Sequence, residues 1–272
     1  MIQQRIKIPS SGNYEVTVDV YVPNVFDAVD PTIRRPAVVI CPGGGYTHWG
    51  ERETEPMAMR FMALGFNAFV VWYRFAPYRF PAPQHDLAVT MAHIRAHAEE
   101  WHTDPNRIAV MGFSAGGHLA GSLGVMWQRE DMWQEIGLTP EQVKPNAMVL
   151  GYAVLGDGDI AETSSYTYLT GSEDPAVHSK VAVIPNVTEK CPPTFLWQTF
   201  DDNVVKIENT LYMGAALAKY QIPCEIHVYP HGPHGSGLCN EQCSGRVNPI
   251  YNVPYNAEWP EKAAHFLKNE MK

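Results

Sequence analysis

The chain of 272 residues has few charges and no basic cluster: charged side chains make up 18% of it, 20 basic against 29 acidic, for a formal net charge of -9. Nucleic acids and anionic membrane surfaces are held by patches of Lys and Arg, so neither is expected as a partner. Long apolar runs are missing too. No stretch of about 18 apolar residues occurs, so no membrane span is expected. The opening residues, MIQQRIKIPSSGNYEVTVDVYVP, carry no charged-then-apolar leader pattern. Taken as it starts, the chain is expected in the cytoplasm. Cysteine is scarce and scattered (Cys41, Cys191, Cys224, Cys239 and Cys243), and an odd set suits reduced thiols better than a disulfide frame. Internal repeats and low-complexity linkers are absent.

What is present is material for a core. Hydrophobic residues reach 45%, which argues against disorder, and the length suits one large α/β domain. Residues 2–8 and 14–22 alternate apolar and polar around Ser10-Ser11-Gly12-Asn13, the pattern of an antiparallel hairpin. PAVVIC (36–41) and NAFVVWY (67–73) are instead continuous apolar runs, as strands covered on both faces require. Further strands are predicted at 107–112, 147–153, 193–200 and 224–230, and helices at 54–64, 84–100, 115–127, 206–220 and 258–270. Strands alternating with helices imply a mostly parallel, doubly wound sheet. The expectation is one domain over 1–272, with an irregular polar insertion at about 156–190 over one end of the sheet. Residues 128–146 are irregular as well. Met126, Trp127, Met132 and Trp133 suit a pocket wall, a dimer surface or core packing.

One stretch carries chemistry. RIAVMGFSAGGHLAGSLG (107–124) runs from an apolar strand through glycines around Ser114 into a small-residue helix. A strand, a very tight turn and a helix put the turn residue on a sharp point above the sheet. Side chains two before and two after it would collide with neighbouring backbone, and Gly112 and Gly116 remove that collision. Ser114 is then predicted in a strained conformation with its hydroxyl exposed at the N-terminus of a helix. The helix dipole and the free N–H of Ala115 favour negative charge beside it. This is a nucleophile elbow, G-x-S-x-G.

GFSAGGHLAG resembles the elbow of α/β-hydrolase-fold serine esterases, in particular the branch with a glycine-rich oxyanion loop. VVICPGGGYTHWG (38–50) strengthens the resemblance, with Pro42 standing where family members often have histidine. The resemblance implies that Gly44 and Gly45, with Ala115, point backbone N–H groups at a developing oxyanion. A phosphate-binding reading of the same glycines lacks the Lys-Ser/Thr of a P-loop. The family's triad runs Ser, Asp/Glu, His along the chain. PTFLWQTFDDNVVKIENTLYMGAAL (193–217) is similar to the family's T-x-x-D-x-x-V-P, which places Asp202 at the acid position, with Asp201 as the alternative after one residue of slip. Gln198 and Lys206 depart from the usual histidine and proline. CEIHVYPHGPHGSGL (224–238) holds the family's terminal H-G at His234-Gly235, so the resemblance implies His234 as the base, with His231 as the alternative. Asp202 would then hold the tautomer of His234 and stabilise its imidazolium.

Other residues are weighed against these. His227, His231, His234, Cys239 and Cys243 fit no standard zinc spacing, so no metal and no cofactor are expected. His118, one turn into the elbow helix, is expected to pack or hydrogen-bond, and Asp86 to brace a loop or cap a helix. Tyr46, His48 and Trp49 follow the oxyanion loop and line the acyl or alcohol pocket or simply pack; the flat faces of Tyr46 and Trp49 would suit sugar rings. With Tyr73-Arg74 and GPHGSGL, the PGGGY loop resembles the branch of acetylesterases and acetylxylan-type carbohydrate esterases. The expected activity is therefore a serine carboxylesterase acting on short acyl esters, acetyl above all, of sugars or xylo-oligosaccharides through an acyl-enzyme. Its partner would be a small-molecule or oligosaccharide ester, with a homo-oligomer left open. The rivals are a serine exopeptidase, which usually needs a large extra domain, and a silent hydrolase-fold binding protein, which typically loses a triad member.

Overall fold

The computed structural model describes residues 1–271. The strands are β1 (Ile2–Pro9), β2 (Glu15–Val22), β3 (Arg35–Cys41), β4 (Asn67–Trp72), β5 (Thr103–Phe113), β6 (Ala147–Gly151), β7 (Thr194–Thr199) and β8 (Cys224–Tyr229). Among the described residues they form an eight-stranded sheet in the order β1-β2-β4-β3-β5-β6-β7-β8. The hairpin β1–β2 and the pair β2–β4 are antiparallel, and every pairing from β4 to β8 is parallel. Helices α1 (Glu55–Ala63), α2 (Ala82–Ala96), α3 (Ser114–Met126), α4 (Glu130–Trp133), α5 (Pro140–Val143), α6 (Thr163–Thr170), α7 (Pro175–Val181), α8 (Glu208–Lys219), α9 (Glu241–Ser244) and α10 (Trp259–Glu270) connect or follow them.

Side chains of a strand alternate between faces, so a strand covered by helices on both sides must be apolar throughout. In β3, Val39 belongs to one buried layer with Leu87 of α2, Leu119 of α3 and Met213 of α8, while Val38 and Ile40 belong to the other with Phe61 of α1 and Trp259 and Leu267 of α10. Met126, Trp127, Met132 and Trp133 are all buried in the first of these layers. The Trp133 indole donates to the Trp127 carbonyl at 2.8 Å. Those four residues are core, and Trp127 also walls a hollow beside Lys144 and Lys190 that contains no part of the Ser114 cleft.

Two of the predicted elements differ from their predicted bounds by more than two residues. Helix α2 starts at Ala82 and stops at Ala96, before the predicted residue 100. Its last turns tighten, with the Ala98 N–H bonding the Arg95 carbonyl, and Trp101 folds back to stack on His97 at 5.3 Å. Strand β5 begins at Thr103 because Thr103 pairs with Arg35 across an irregularity before Ala37 meets Ile108. Asp104-Pro105-Asn106 reads as a turn in sequence, and only the partner strand reveals the pairing.

The hairpin is pinned to the rest of the sheet by a buried ion pair. Asp86 of α2 accepts from Arg74 Nε at 2.9 Å, Arg74 Nη2 at 2.8 Å and the Arg74 N–H at 2.8 Å, and from Ser10 Oγ at 2.6 Å. Arg74 Nη1 donates to the Ser11 carbonyl at 3.0 Å. A buried ion pair needs further hydrogen bonds to offset the water it loses, and Ser10, Ser11 and Ala82 supply them here. Asp86 braces a loop.

Candidate active site

Strand β5, fifth of eight in the sheet, ends at Phe113, and Ser114 begins α3 with φ +52°. A non-glycine residue at positive φ is held there by its surroundings. A Cβ on Gly112 would stand 2.0 Å from the Gly116 carbonyl oxygen, and one on Gly116 would stand 2.2 Å from that of Cys41. Both contacts are impossible for any larger residue, so these glycines are the steric condition for the turn.

His234 follows β8 on a loop and reaches Ser114 from above. Its Nε2 lies 2.9 Å from Ser114 Oγ, and its Nδ1 lies 2.8 Å from Asp202 Oδ2. A carboxylate beside Nδ1 keeps the proton there, which leaves Nε2 free to accept from the serine hydroxyl. The Asp202 side chain is fully buried. Its Oδ1 accepts from the N–H groups of Val204 and Val205 at 2.9 and 3.0 Å, so the carboxylate is fixed by the turn that leads into α8. Its neighbour Asp201 points outward. Asp201 accepts from His231 Nδ1 at 2.9 Å and from the Gly232 N–H at 2.9 Å, and these contacts hold its carboxyl below the usual range. The two acids and two histidines that sequence leaves open therefore sort into two pairs, one in the cleft and one in solvent.

The loop after β3 approaches Ser114 from the other side. Gly44 (φ +127°) and Gly45 line the cleft, and among the described residues neither N–H bonds to a protein acceptor. Ala115 sits in the first turn of α3, where backbone N–H groups have no partner within the helix. Tyr46 and Trp49, expected on the pocket wall, are not on it. The turn at Gly44–His48 drives Tyr46 into the core, where its hydroxyl meets His118 Nδ1 at 2.7 Å and its ring packs on Tyr73. Trp49 donates its indole N–H to the Tyr73 carbonyl at 3.0 Å and packs on Trp72 and Phe75. Tyr73 in turn donates to the Pro42 carbonyl at 2.6 Å, so these aromatics support the loop from below.

His118 is buried between Tyr46 and the Val181 carbonyl, 2.9 Å from Nε2. That carbonyl takes the ring N–H, so Nδ1 accepts from Tyr46. Burial lowers the imidazole from 6.5 to about 4. The folded protein then refuses a proton that the unfolded chain accepts. Stability is fully present above pH 6.5 and is lost as pH falls toward 4, by up to about 3 kcal/mol. Denaturant midpoints measured across this window should fall more steeply for the wild type than for His118→Gln; equal slopes would remove His118 as the cause.

The cleft above Ser114 has a volume of about 340 Å³. A larger hollow, about 650 Å³, lies against β1 and β2 and contains no part of the serine–histidine pair. His48 lies on the cleft wall, and further wall residues come from outside the glycine loop, the elbow and the histidine loop. Glu162, Ser164, Ser165 and Tyr168 belong to the 156–190 segment: Glu162 caps α6, its carboxylate accepting from the N–H groups of Ser164 and Ser165, and Tyr168 lies further along the helix. Arg52 lies 3.9 Å from the ring centre of Tyr251, and both face the cleft with Thr47, His48 and Val204. The acidic residue ahead of Ser-Ser is a legible helix start; nothing local marks Tyr251 or Arg52. The other suspected ligand set is dispersed. His227 meets Glu225, His231 meets Asp201, and Cys239 and Cys243 are buried. Among the described residues no group of three or more His, Cys, Asp or Glu is placed to hold a metal, and no helix is long and apolar enough to cross a membrane.

A strand-to-helix serine elbow in the middle of a mostly parallel sheet is the arrangement of the α/β-hydrolase fold. Within that fold the chain belongs to the BD-FAE family, whose model matches residues 18–217. It is 31% identical to endo-1,4-beta-xylanase B of Butyrivibrio fibrisolvens over 85% of this chain and 37% of the xylanase. It is 29% identical to an acetylxylan esterase of Xylanibacter ruminicola over 74% of this chain and 41% of the esterase. The chain thus spans less than half the length of these curated relatives. A solved acetyl ester-xyloside bifunctional hydrolase from Caldicellulosiruptor lactoaceticus superimposes with a TM-score of 0.81 at 32% identity, covering 97% of this chain and 96% of that one.

Proposed function

We propose that the protein hydrolyses short acyl esters, acetyl above all, of sugars or xylo-oligosaccharides. The observation that carries this reading is the continuous relay Ser114 Oγ, His234 Nε2, His234 Nδ1, Asp202 Oδ2 opening into the cleft. His234 takes the hydroxyl proton of Ser114 as Oγ attacks the ester carbonyl carbon. The carbonyl oxygen becomes an oxyanion that the N–H groups of Gly44, Gly45 and Ala115 stabilise. The alcohol leaves with the proton returned by His234, and Ser114 keeps the acyl group. A water molecule, deprotonated by His234, then attacks the acyl carbon; Ser114 recovers its proton and the acid departs.

Short acyl groups are favoured because the cleft is small, about 340 Å³, with Thr47, His48, Ser164 and Ser165 facing it and Val204 as an aliphatic contact. Hydroxyls and Tyr168 suit a sugar on the alcohol side. The names of the xylan-acting relatives point to the same substrates. A cytoplasmic location, the expectation from sequence, would limit these to imported oligosaccharides. Each methylene in a complementary pocket is worth about 1 kcal/mol, and a chain too long for the cleft cannot gain it. Catalytic efficiency on aryl esters should therefore fall from acetyl through butyryl to octanoyl, with acetate released from acetylated xylo-oligosaccharides. Higher efficiency on octanoyl esters would sink the short-acyl reading; no acetate from any acetylated sugar would leave a general carboxylesterase.

A further inference from the structure

Glu53 is a buried carboxylate that the relay does not use. It lies 4% exposed at the base of the cleft. Its Oε2 accepts from the Gly43 N–H at 2.6 Å, and its Oε1 accepts from the Tyr152 hydroxyl at 2.5 Å. Tyr152 follows β6, sits at φ +35° and is itself buried. The Gly237 N–H donates to the Tyr152 oxygen at 3.2 Å, so the tyrosine proton is committed to Glu53. The Tyr152 ring meets the His234 imidazole edge-on, with 5.0 Å between centres.

These contacts link two loops that otherwise reach the cleft independently. Gly43 immediately precedes the two glycines whose N–H groups face Ser114. Gly237 follows His234 by three residues. We infer that Glu53 is a positioning residue that locks the oxyanion loop and the histidine loop into one register, gripping Gly43 directly and the His234 loop through Tyr152. A loop rich in glycine has no side chains to hold it, and a positioning error of about 1 Å in reacting groups can cost about a hundredfold in rate. A carboxylate can grip such a loop because it offers acceptors on two sides. Burial pushes the Glu53 carboxyl up, while Tyr152, Gly43 and the nearby imidazole of His234 pull it back down. The balance leaves this carboxyl above the ordinary value, with burial the largest cause, and each of its oxygens meets one donor.

The inference rests on the hydrolase reading, and its test separates the two. Glu53→Gln has one oxygen where two are needed, so it cannot accept from both Gly43 and Tyr152. Tyr152→Phe keeps the ring on His234 and removes the hydroxyl that joins Glu53 to the Gly237 N–H. With a nitrophenyl acetate substrate, kcat should fall by about a hundredfold for Glu53→Gln and about tenfold for Tyr152→Phe, with KM little changed. Affinity for a phenylboronic acid, which forms a tetrahedral adduct on Ser114, should fall in parallel with kcat. The double variant should be no worse than Glu53→Gln alone, because both break one chain of contacts. A merely structural role would lower the melting temperature and leave kcat and boronate affinity of the folded enzyme intact, and that result would overturn the inference. So would kcat within about threefold of wild type in Tyr152→Phe, the milder change, should Glu53→Gln not fold. Wild-type protein that hydrolyses no ester would overturn the hydrolase reading and this one together; active wild type with unaffected variants would overturn this one alone.

Discussion

Ser114→Ala is expected to lower ester hydrolysis by at least about a thousandfold while the protein stays folded. The hydroxyl is the only group the substitution removes. It sits 2.9 Å from His234 Nε2, and without it the base has no nucleophile to deprotonate. Alanine keeps the Cβ, so the backbone at φ +52° is not released into another conformation and the elbow persists. Strain at such a position costs about 1–3 kcal/mol, and the same surroundings bear it in both proteins. Whatever hydrolysis survives would come from the N–H groups of the oxyanion loop and from substrate binding. Initial rates on an aryl acetate, with a thermal melt of each protein, decide the matter. Retention of more than about one per cent of wild-type turnover would remove Ser114 as the nucleophile.

The elbow is legible from sequence because its cause is local. Gly112 and Gly116 are two residues either side of Ser114, and the clash they avoid involves backbone the chain must place there. The doubly covered strands are legible for a similar reason: β3 and β4 need apolar residues on both faces wherever helices lie above and below. The acid is legible only to within a residue. Asp201 and Asp202 are adjacent, and backbone geometry alone sends one into the cleft and the other to solvent. Tyr46 and Trp49 were expected on the wall because they follow the glycines in sequence. The turn that the glycines permit carries Tyr46 inward at φ +56°, and proximity along the chain then means the opposite of proximity to substrate. Glu53 and Tyr251 carry no local signal. Glu53 lies among four charged or polar neighbours in ERETE, and its inward direction depends on Gly43 and Tyr152, which the sequence separates from it by 10 and 99 residues.

The second large effect is expected at the acid. Asp202→Asn should lower turnover by about four orders of magnitude, whereas Asp201→Asn should stay within about threefold of wild type. In the first variant the amide oxygen can still accept from Val204 and Val205, so the turn into α8 survives. The amide N–H₂ then faces His234 Nδ1 in place of an acceptor. Two donors cannot face each other, so the imidazole must carry its proton on Nε2, and it can no longer take the proton of Ser114. The loss is of a tautomer, not of a charge alone, which is why it is so large. Asp201 sits under different physics. Its carboxylate is half exposed and its partner His231 is 83% exposed, so water replaces most of what the pair provides. Neither residue touches Ser114 or His234. Comparison of kcat for the two variants on one aryl acetate, at a pH where the wild type is fully active, tests the assignment. Equal losses, or a greater loss at Asp201, would mean that the solvent-facing pair closes over the cleft in the working enzyme and that the roles of the two acids are reversed.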